Sequence, residues 1–345
     1  EELKKRNSSV KIILTFFSPS GYEVRKNYAQ ADLVCYLPKD SPANAKKFIA
    51  ATQPQTVIFA KYEYWYYYLN ELKENNIPTY LVSAVFTPAQ IFFKWYGAFF
   101  RNILKLFSGI YVINNSSQKQ LQQIGIKSTL AGDTRFDRVI ENALNRKDIP
   151  LIDVFKQNKS LIIAGSSWQT EEELLARYFV TCSDKKIIFA PHDISEKHIQ
   201  YIEKLFSFTK TIRYSQTNQT NANEAQVLII DNIGLLSSLY FYADICIIGG
   251  GFKGDLHNIL EALVYRKPVL FGSKFKPKFS EAQAAIDKKC AYTFSDLNQM
   301  QTLLESLSTD KSMYNEAAKT AQEYIQSNAG ASKLIFSETL EKITI

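Results

Sequence analysis

The sequence is poor in the residues from which metal centres and disulfide frameworks are built. Its 345 residues include three histidines and four cysteines. The cysteines lie far apart in apolar or mixed segments, without a CxxC motif or a Cys/His ligand spacing. They are Cys35, Cys182, Cys246 and Cys290. This pattern predicts buried thiols in a reducing cytoplasm, and it argues against a metal site and against disulfides.

Long apolar runs are also missing. No stretch of 18 consecutive apolar residues and no signal-peptide pattern occurs, so the sequence predicts a protein that is soluble or peripheral to a membrane. The first ten residues, EELKKRNSSV, lack an initiator Met and look like the last turns of an amphipathic helix. We therefore expect the natural N-terminus to lie upstream.

Acidic residues are outnumbered in one half of the chain only. Residues 1–150 carry 20 Lys and Arg against 12 Asp and Glu, a net charge of +8, whereas residues 151–345 carry 21 against 22, a net charge of −1. The basic first half predicts an anionic partner: phosphorylated lipid, a bilayer surface or nucleic acid. Its basic residues are scattered and accompany no nucleic-acid motif, so we expect no nucleic-acid partner.

Short apolar runs alternate with longer helical patterns along the whole chain, which is typical of parallel sheets in an α/β protein. The polar segment 141–159, which contains Pro150 and no strand pattern, predicts a linker between domains 1–140 and 160–345. We expect two Rossmann-like domains whose sheets face across a cleft. The predicted strands are 11–16, 33–36, 56–60, 79–83, 109–113, 128–130, 161–164, 186–190, 226–230, 245–248 and 268–271.

The stretch from Ile245 to Phe271 predicts a strand, a glycine turn, a helix and a second strand. Glycine turns allow close approach of a ligand, and the N–H groups of a helix start attract phosphate. The glycines of the turn are Gly249, Gly250 and Gly251, followed on the predicted helix by His257, Asn258 and Glu261. GGGFKG also satisfies the dinucleotide pattern, but no acidic residue ends the next strand, and a purely structural glycine corner remains an alternative.

Other polar turns follow predicted strands, where ligands of α/β sheets bind. A Gly-Ser-Ser corner with Ser166 and Ser167 opens a helix rich in acids, which an ordinary N-cap would also explain. Pro191 and His192 end another strand, although a loop histidine is often incidental. The Ile233 and Gly234 amides follow a third strand. In the first half, the polar candidates after strands are Ser18, Ser20, Gly21 and Glu63.

The aromatic segment 90–107 contains Lys94, Arg101 and Lys105 among its rings. These charges argue against a membrane span. They suit either a segment that packs internally or a helix that lies at a bilayer surface, and the sequence leaves both open.

In their joint order these segments resemble the Kdo transferases, the 3-deoxy-D-manno-octulosonic acid transferases of lipid A assembly. The resemblance covers nearly the whole chain. Its residues are TFFSPSGYE at 15–23, YEYW at 62–65, GDTRFDRV at 132–139, GSSWQTEE at 165–172, PH at 191–192, DNIGLL at 231–236, GGGF at 249–252, HNILEA at 257–262 and KPVLFG at 267–272.

The resemblance implies a GT-B fold and an inverting, metal-independent transfer of Kdo from CMP-Kdo to a lipid A precursor, without a cofactor. It implies that the C-terminal domain holds CMP-Kdo and the N-terminal domain holds the phosphorylated lipid, at the cytoplasmic face of the inner membrane. The implied donor residues are Ser166, Ser167, Pro191, His192, the Ile233 and Gly234 backbone, Gly250, Gly251, Asn258 and Glu261, with Glu261 on the ribose; Ser18, Ser20, Gly21 and Glu63 would lie on the acceptor side.

The sequence departs from the family's pattern in three places. The general-base Glu of the family follows a Gly after the first strand, and we expect it upstream of residue 1, so neither Glu1 nor Glu2 is assigned that role. The N-terminal membrane-associated helix is likewise expected upstream. Many relatives carry Arg after the proline, where this chain has His192. Another GT-B enzyme using a UDP-sugar, including an epimerase, or a non-catalytic binder of nucleotide or anionic lipid remains an alternative.

Overall fold

The computed structural model describes residues 2–341, apart from the side chains of Glu2 and Ser20. The strands in this part of the chain are β1 (Ile13–Phe16), β2 (Leu33–Tyr36), β3 (Val57–Ala60), β4 (Thr79–Ala84), β5 (Gly109–Val112), β6 (Thr129–Leu130), β7 (Ser160–Ser167), β8 (Lys185–Pro191), β9 (Thr211–Arg213), β10 (Val227–Ile229), β11 (Ile245–Ile248), β12 (Val269–Gly272) and β13 (Ala291–Phe294).

Helices alternate with these strands. They are α1 (Glu2–Arg6), α2 (Pro19–Arg25), α3 (Pro42–Thr52), α4 (Tyr66–Glu74), α5 (Ala98–Leu104), α6 (Asn115–Gln123), α7 (Thr134–Leu144), α8 (Pro150–Lys156), α9 (Gln169–Phe179), α10 (Glu196–Leu205), α11 (Gln219–Glu224), α12 (Leu236–Leu239), α13 (Leu260–Leu263), α14 (Ser280–Asp287), α15 (Leu297–Thr309), α16 (Lys311–Ser327) and α17 (Ala331–Thr339), with short 3₁₀ helices at Ile91–Phe93, Tyr214–Gln216 and Tyr240–Tyr242.

Every strand pairing is parallel, as the alternation of strands and helices predicts. One sheet has the order β13-β12-β11-β7-β8-β10-β9, a second has the order β3-β4-β5-β6, and β1 pairs with β2. Parallel neighbours need a crossover, which the intervening helices supply. The predicted α/β class is therefore confirmed.

The seven-stranded sheet is covered by apolar side chains on both faces. Successive residues of a strand point to opposite faces, so Ile162 and Ile187 lie in one core cluster with helix α9, while Ile163 and Ile188 lie in another with helix α8. Each such buried side chain contributes about 1.5–3 kcal/mol of hydrophobic stabilisation. Burial on both faces explains why these strands appear in the sequence as continuous apolar runs.

All eleven predicted strands are present; two match to the residue, and the ends of the others move by up to three residues. The sequence-based reading missed β9 and β13, which form the two edges of the seven-stranded sheet. Both are short and mix polar with apolar residues, as in Thr211–Arg213. Because an edge strand has a neighbour on one side only, it does not need the continuous apolar run that identifies a central strand.

The chain divides into two compact units. Unit 1 comprises Glu1–Thr134 and Ala329–Ile345, and unit 2 comprises Arg135–Asn328. The segment 141–159, predicted as a linker, carries the end of α7 and all of α8 and lies within unit 2. Helix α17 joins unit 1, where the Arg6 guanidinium lies 4.5 Å from the centre of the Phe336 ring.

The structure bears on two predictions from the composition, that the thiols are buried and that the chain does not span a membrane. Cys182, Cys246 and Cys290 are buried, as predicted, whereas Cys35 is half-buried. Burial raises the pKa of the Cys290 thiol to about 11. Within residues 2–341, no helix combines the length and the apolar character that crossing a membrane requires.

Candidate functional site

Four neighbouring strands of unit 2 end in the segments that the sequence singled out. Strands β11, β7, β8 and β10 lie side by side in that order. In the register, Ile248 pairs with Gly165, and Ser167 pairs with Pro191. The carboxyl ends of these strands, where α/β proteins bind ligands, therefore bring the glycine turn, the serine corner and the proline loop together.

The glycine turn is packed so closely that larger residues do not fit. Gly249 donates its N–H to the Gly165 carbonyl at 3.0 Å, and a Cβ at Gly249 would lie 2.0 Å from the Ser166 carbonyl oxygen. A Cβ at Gly251 would lie 2.5 Å from the backbone nitrogen of Gly272. The glycines thus allow strands β7, β11 and β12 to converge at one point.

The structure corrects the expectation that this turn offers its amides to a ligand at a helix start. The Gly249 N–H is used by Gly165, and Gly250, with a φ of +87°, donates its N–H to Oε1 of Glu171 at 3.1 Å. Helix α13 begins only at Leu260 and has four residues. The turn is therefore separated from the helix by a loop that carries His257.

The serine corner is not an ordinary N-cap. Trp168 occupies the cap position of helix α9 without a side-chain capping bond. Ser166 has a φ of +50° at a bulge of β7, and Ser167 donates its hydroxyl to Oε1 of Glu172 at 2.7 Å. The same carboxylate oxygen lies 3.1 Å from Nε2 of the buried His198. The corner is thus tied to the protein interior.

Two acids of this helix are buried, one bonded to the glycine turn and the other to the serine corner. Glu171 and Glu172 are 1 % and 0 % exposed, and the Oε2 atom of each has no hydrogen-bond partner among the described residues. Burial raises the pKa of both carboxyls, because removal from water disfavours the charged form. The sequence analysis gave an ordinary N-cap, with acids at the positive end of the helix, as one explanation of these residues. In the structure Glu171 binds the Gly250 N–H and Glu172 binds the Ser167 hydroxyl.

An aromatic and cationic cluster lies at the same edge of the sheet. The His192 ring stacks on the Trp168 indole with centroids 4.5 Å apart, and the His257 ring lies 4.7 Å from that of His192. Nε1 of Trp168 donates to Nε2 of His257 at 3.3 Å, and Nζ of Lys253 lies 4.0 Å from the centre of the Trp168 ring. Burial, and next the charge of His192, lower the pKa of His257.

This cluster gives His192 a defined environment rather than that of an incidental loop histidine. The sequence-based prediction left Trp168 and Lys253 out of the site. The signal was their position one residue after Ser167 and two residues after Gly251. What no pattern could show is that these two residues meet, since they are 85 residues apart in the chain.

Asn258 and Glu261 form a pair of their own at the start of α13. Nδ2 of Asn258 donates to Oε1 of Glu261 at 3.1 Å, and Oδ1 of Asn258 accepts from the Leu260 N–H at 3.2 Å. Burial raises the pKa of the Glu261 carboxyl. The two side chains, three residues apart, therefore lie on the same side of the helix start.

The loop after β10 carries the remaining candidates of unit 2. Ile233 is 84 % exposed, and Gly234 has a φ of +91° with open space where a Cβ would lie. Asp231 anchors the start of this loop by accepting a 3.0 Å hydrogen bond from the Ser215 N–H. The loop is therefore fixed at its base and open at its tip.

In unit 1 the candidate residues lie around an aromatic contact. The Phe17 and Trp65 rings are 4.6 Å apart, and the Trp65 indole N–H donates to Oε2 of Glu63. Ser18 caps helix α2 by accepting from the Gly21 N–H at 3.4 Å. The ends of β1 and β3 are thus brought together, while the side chain of Ser20 lies outside the described residues.

The aromatic segment 90–107 divides its side chains between the core and the surface. Phe92, Ile103, Leu104 and Phe107 are buried. Trp95, Tyr96 and Phe99 are 91 %, 57 % and 53 % exposed. Part of the segment therefore packs internally, and three of its aromatic rings are exposed to solvent.

The comparisons with known proteins agree with this architecture. A family model described as 3-deoxy-D-manno-octulosonic-acid transferase (kdotransferase) matches residues 1–138. The 3-deoxy-D-manno-octulosonic acid transferase of Haemophilus influenzae is 25 % identical over 96 % of this chain and 80 % of its own length. The enzyme of the same name from Rickettsia felis is 24 % identical over 99 % of this chain and 74 % of its own.

Among solved structures, UDP-GlcNAc 2-epimerase from Neisseria meningitidis superposes with a TM-score of 0.69, covering 99 % of this chain and 94 % of that one at 16 % identity. Its parallel sheets in two units thus have a GT-B-like α/β fold. The family model over residues 1–138 and the curated relatives at 24–25 % identity show similarity to the Kdo transferases, and they indicate a glycosyltransferase. The resemblance drawn from its motifs is confirmed.

Proposed function

We propose that this protein transfers Kdo from CMP-Kdo to the lipid A precursor lipid IVA, with inversion at the anomeric carbon and without a metal ion. The observation that carries the proposal is the meeting of Ser167, His192 and Gly250 at the carboxyl ends of three adjacent strands. In the Kdo transferase resemblance these positions belong to the donor site. Unit 2 would therefore hold the nucleotide.

The charges around this edge suit an anionic ligand. Lys253 and His192 flank Trp168, and helix α9, eleven residues long, starts beside them with its positive end toward the same edge. We propose that these groups stabilise the charge that develops on the departing CMP phosphate. Ser166, Pro191, the Ile233 and Gly234 backbone, and Gly251 would complete the walls of the site.

The nucleoside would be recognised by the pair at the start of α13. A carboxylate accepts hydrogen bonds only, so ionised Glu261 can receive both hydroxyls of a ribose. Asn258 already fixes one oxygen of the Glu261 carboxylate by donating to its Oε1. The other oxygen remains for the sugar.

The reaction moves one glycosyl group. An acceptor hydroxyl oxygen forms the new bond to the anomeric carbon of Kdo, the bond from that carbon to the phosphate oxygen breaks, and CMP leaves with the electron pair. The hydroxyl proton passes to a general base. Attack from the face opposite to CMP inverts the configuration.

Unit 1 is proposed to bind the acceptor at the cytoplasmic face of the inner membrane, with the protein peripheral to it. The excess of Lys and Arg in residues 1–150 favours the phosphates of the lipid and an anionic surface. The exposed Trp95, Tyr96 and Phe99 suit the boundary between lipid headgroups and acyl chains. Glu63, Ser18, Ser20 and Gly21 would lie on the acceptor side.

A transfer assay tests the proposal. The protein should convert CMP-Kdo and lipid IVA to Kdo-lipid IVA, and a metal chelator should leave the rate unchanged. If UDP displaced a labelled nucleotide better than CMP, the protein would be a different nucleotide-sugar enzyme. Binding of CMP without transfer would favour a non-catalytic binder.

A further inference from the structure

The hydrogen bond between Trp168 and His257 restricts the protonation state of the histidine. An indole nitrogen can only donate, so Nε2 of His257, 3.3 Å from Nε1 of Trp168, must accept with its lone pair. A histidine that accepts at Nε2 is neutral and carries its proton on Nδ1. The contact therefore selects one of the three protonation states of this side chain.

The neighbouring charges favour the same neutral state. His192 lies 4.7 Å from the His257 ring, and Lys253 lies over the ring of Trp168. Of the acids around His257, Asp255 is on the same loop, but its carboxylate is shared with Lys276 and Lys278 from the loop after β12. A second positive charge on His257 would therefore be repelled by His192 and only partly balanced by Asp255.

Trp168 itself is held in place by its stacking with His192 and by its position at the start of helix α9. Directly beyond it, Glu171 binds the Gly250 N–H, so the loop that carries His257 and the helix start that carries Trp168 are joined at two points. The indole is thus a rigid bridge between the ends of β7, β8 and β11.

We propose that Trp168 is a positioning residue, which holds His257 as a neutral Nδ1–H donor for a phosphate oxygen while Lys253 supplies the positive charge. The inference rests on the proposed function, since the phosphate is that of the nucleotide donor. Dividing the roles allows His257 and Lys253 to meet one anion without repelling one another. Trp168 needs no contact with the ligand to do this.

The test is a nitrogen-resolved NMR titration of the ligand-free protein labelled with ¹⁵N-histidine. The chain has only three histidines, so His192→Gln, His198→Gln and His257→Gln assign every ring. Trp168→Phe keeps an aromatic ring and removes the N–H donor. Trp95→Phe, at an exposed tryptophan of unit 1, is the matched control.

In the unaltered protein and in Trp95→Phe, the His257 spectrum should show a protonated Nδ1 and an unprotonated Nε2. In Trp168→Phe the titration midpoint of His257 should rise by about 0.5 to 1 pH unit, the equivalent of one net hydrogen bond. An Nε2–H tautomer in the unaltered protein, or an unchanged midpoint in Trp168→Phe, would overturn the proposal. A purely structural role of Trp168 would not move this midpoint selectively.

Binding by calorimetry supplies the ligand arm. Trp168→Phe and Lys253→Met should each weaken CMP about tenfold and leave cytidine, which lacks the phosphate, within twofold. Equal losses for CMP and cytidine would contradict a role at the phosphate. If neither ligand bound the unaltered protein, the proposed function would fail while the tautomer result stood on its own.

Discussion

Oε1 of Glu171 accepts the backbone N–H of Gly250 at 3.1 Å, so a buried carboxyl group holds the turn at which the candidate site is built. A helix and a turn 79 residues apart in the chain are joined by this bond. The acid acts as the partner of a buried backbone amide, which in the interior needs one. Its effect on ligand binding would thus be indirect, through the shape of the turn.

Replacing Glu171 by Gln and by Leu separates the hydrogen bond from the charge. Gln keeps an oxygen acceptor for Gly250, whereas Leu has a similar volume and none. We expect Glu171→Leu to be less stable than Glu171→Gln by about 1–3 kcal/mol, the cost of an unpaired buried amide. Denaturant unfolding followed by circular dichroism measures the difference. The same two substitutions at exposed Glu173 on this helix should differ by less than about 0.5 kcal/mol; an equal gap at both sites would refute the explanation.

The same carboxyl predicts a pH dependence. Burial raises the pKa of Glu171 in the folded state above its ordinary value of 4.5. Its contribution to stability is then fully present below pH 4.5 and is lost as the pH rises through the folded-state pKa. Glu171→Gln lacks this titration, so its stability relative to the unaltered protein should increase between pH 4.5 and neutrality. Unfolding curves of both proteins at matched pH values measure the change, and a constant difference would contradict it.

Gly249 should not tolerate a methyl group. A Cβ there would lie 2.0 Å from the Ser166 carbonyl oxygen, which belongs to the backbone of β7 and cannot move independently. We expect Gly249→Ala to cost about 3 kcal/mol or more of folding free energy. Gly234→Ala, in the same unit, faces open space and bears only the strain of its positive φ, about 1 kcal/mol. Thermal and urea unfolding compare the two variants. A smaller loss of folding free energy in Gly249→Ala than in Gly234→Ala would contradict this expectation, because it would show that the turn can relax.

Binding of CMP should depend on ionisation of Glu261. Because burial raises the pKa of this carboxyl above 4.5, affinity should increase as the pH rises from 4.5 through that pKa and then level off. Calorimetric titration measures this profile. Glu261→Gln should weaken CMP by about tenfold, the equivalent of about 1.4 kcal/mol for a hydrogen bond to a charged acceptor, and should flatten the profile. With 2′-deoxy-CMP the effect of the substitution should shrink, and equal losses for both nucleotides would exclude a ribose contact.

The exposed rings of segment 90–107 should bind an anionic bilayer. Arg101 donates to the carbonyls of Phe92 and Lys94 and so fixes the loop that presents Trp95 and Tyr96. Changing Trp95 and Tyr96 together to Ala should reduce co-sedimentation with phosphatidylglycerol vesicles several-fold and leave CMP binding unaltered. Phe208→Ala, an exposed ring of unit 2, is the control. Equal loss in the control, or none in the double variant, would contradict the proposed surface.

The central strands could be predicted because their pattern has a direct physical cause. Ile245–Ile248 and Leu33–Tyr36 were located to the residue, since continuous apolar runs between polar turns are what parallel strands require. The helix after Ile248 was placed too early. Asp255 and Leu256 extend a loop before α13, and Asn258, not the glycine turn, provides the oxygen that receives the first helical amide.

The candidate site was predicted as a set of positions and not as a set of contacts. The sequence identified His192, Gly250 and Ser167 because each follows an apolar run. It did not show that Glu171 occupies the Gly250 amide or that Trp168 bridges two histidines. Such contacts join residues from different βα units, and their distances depend on strand order, which no local pattern encodes.

By itself the sequence determined the parallel α/β class, the strand ends that carry the candidate residues and the kinship with the Kdo transferases, since these depend on local periodicity and on motifs in order. Only the tertiary structure decided which amides of the glycine turn are already bonded, which acids are buried and which rings surround His257. Those properties arise when β11, β7 and β8 lie side by side, because burial and hydrogen bonding depend on neighbours that are distant in the chain.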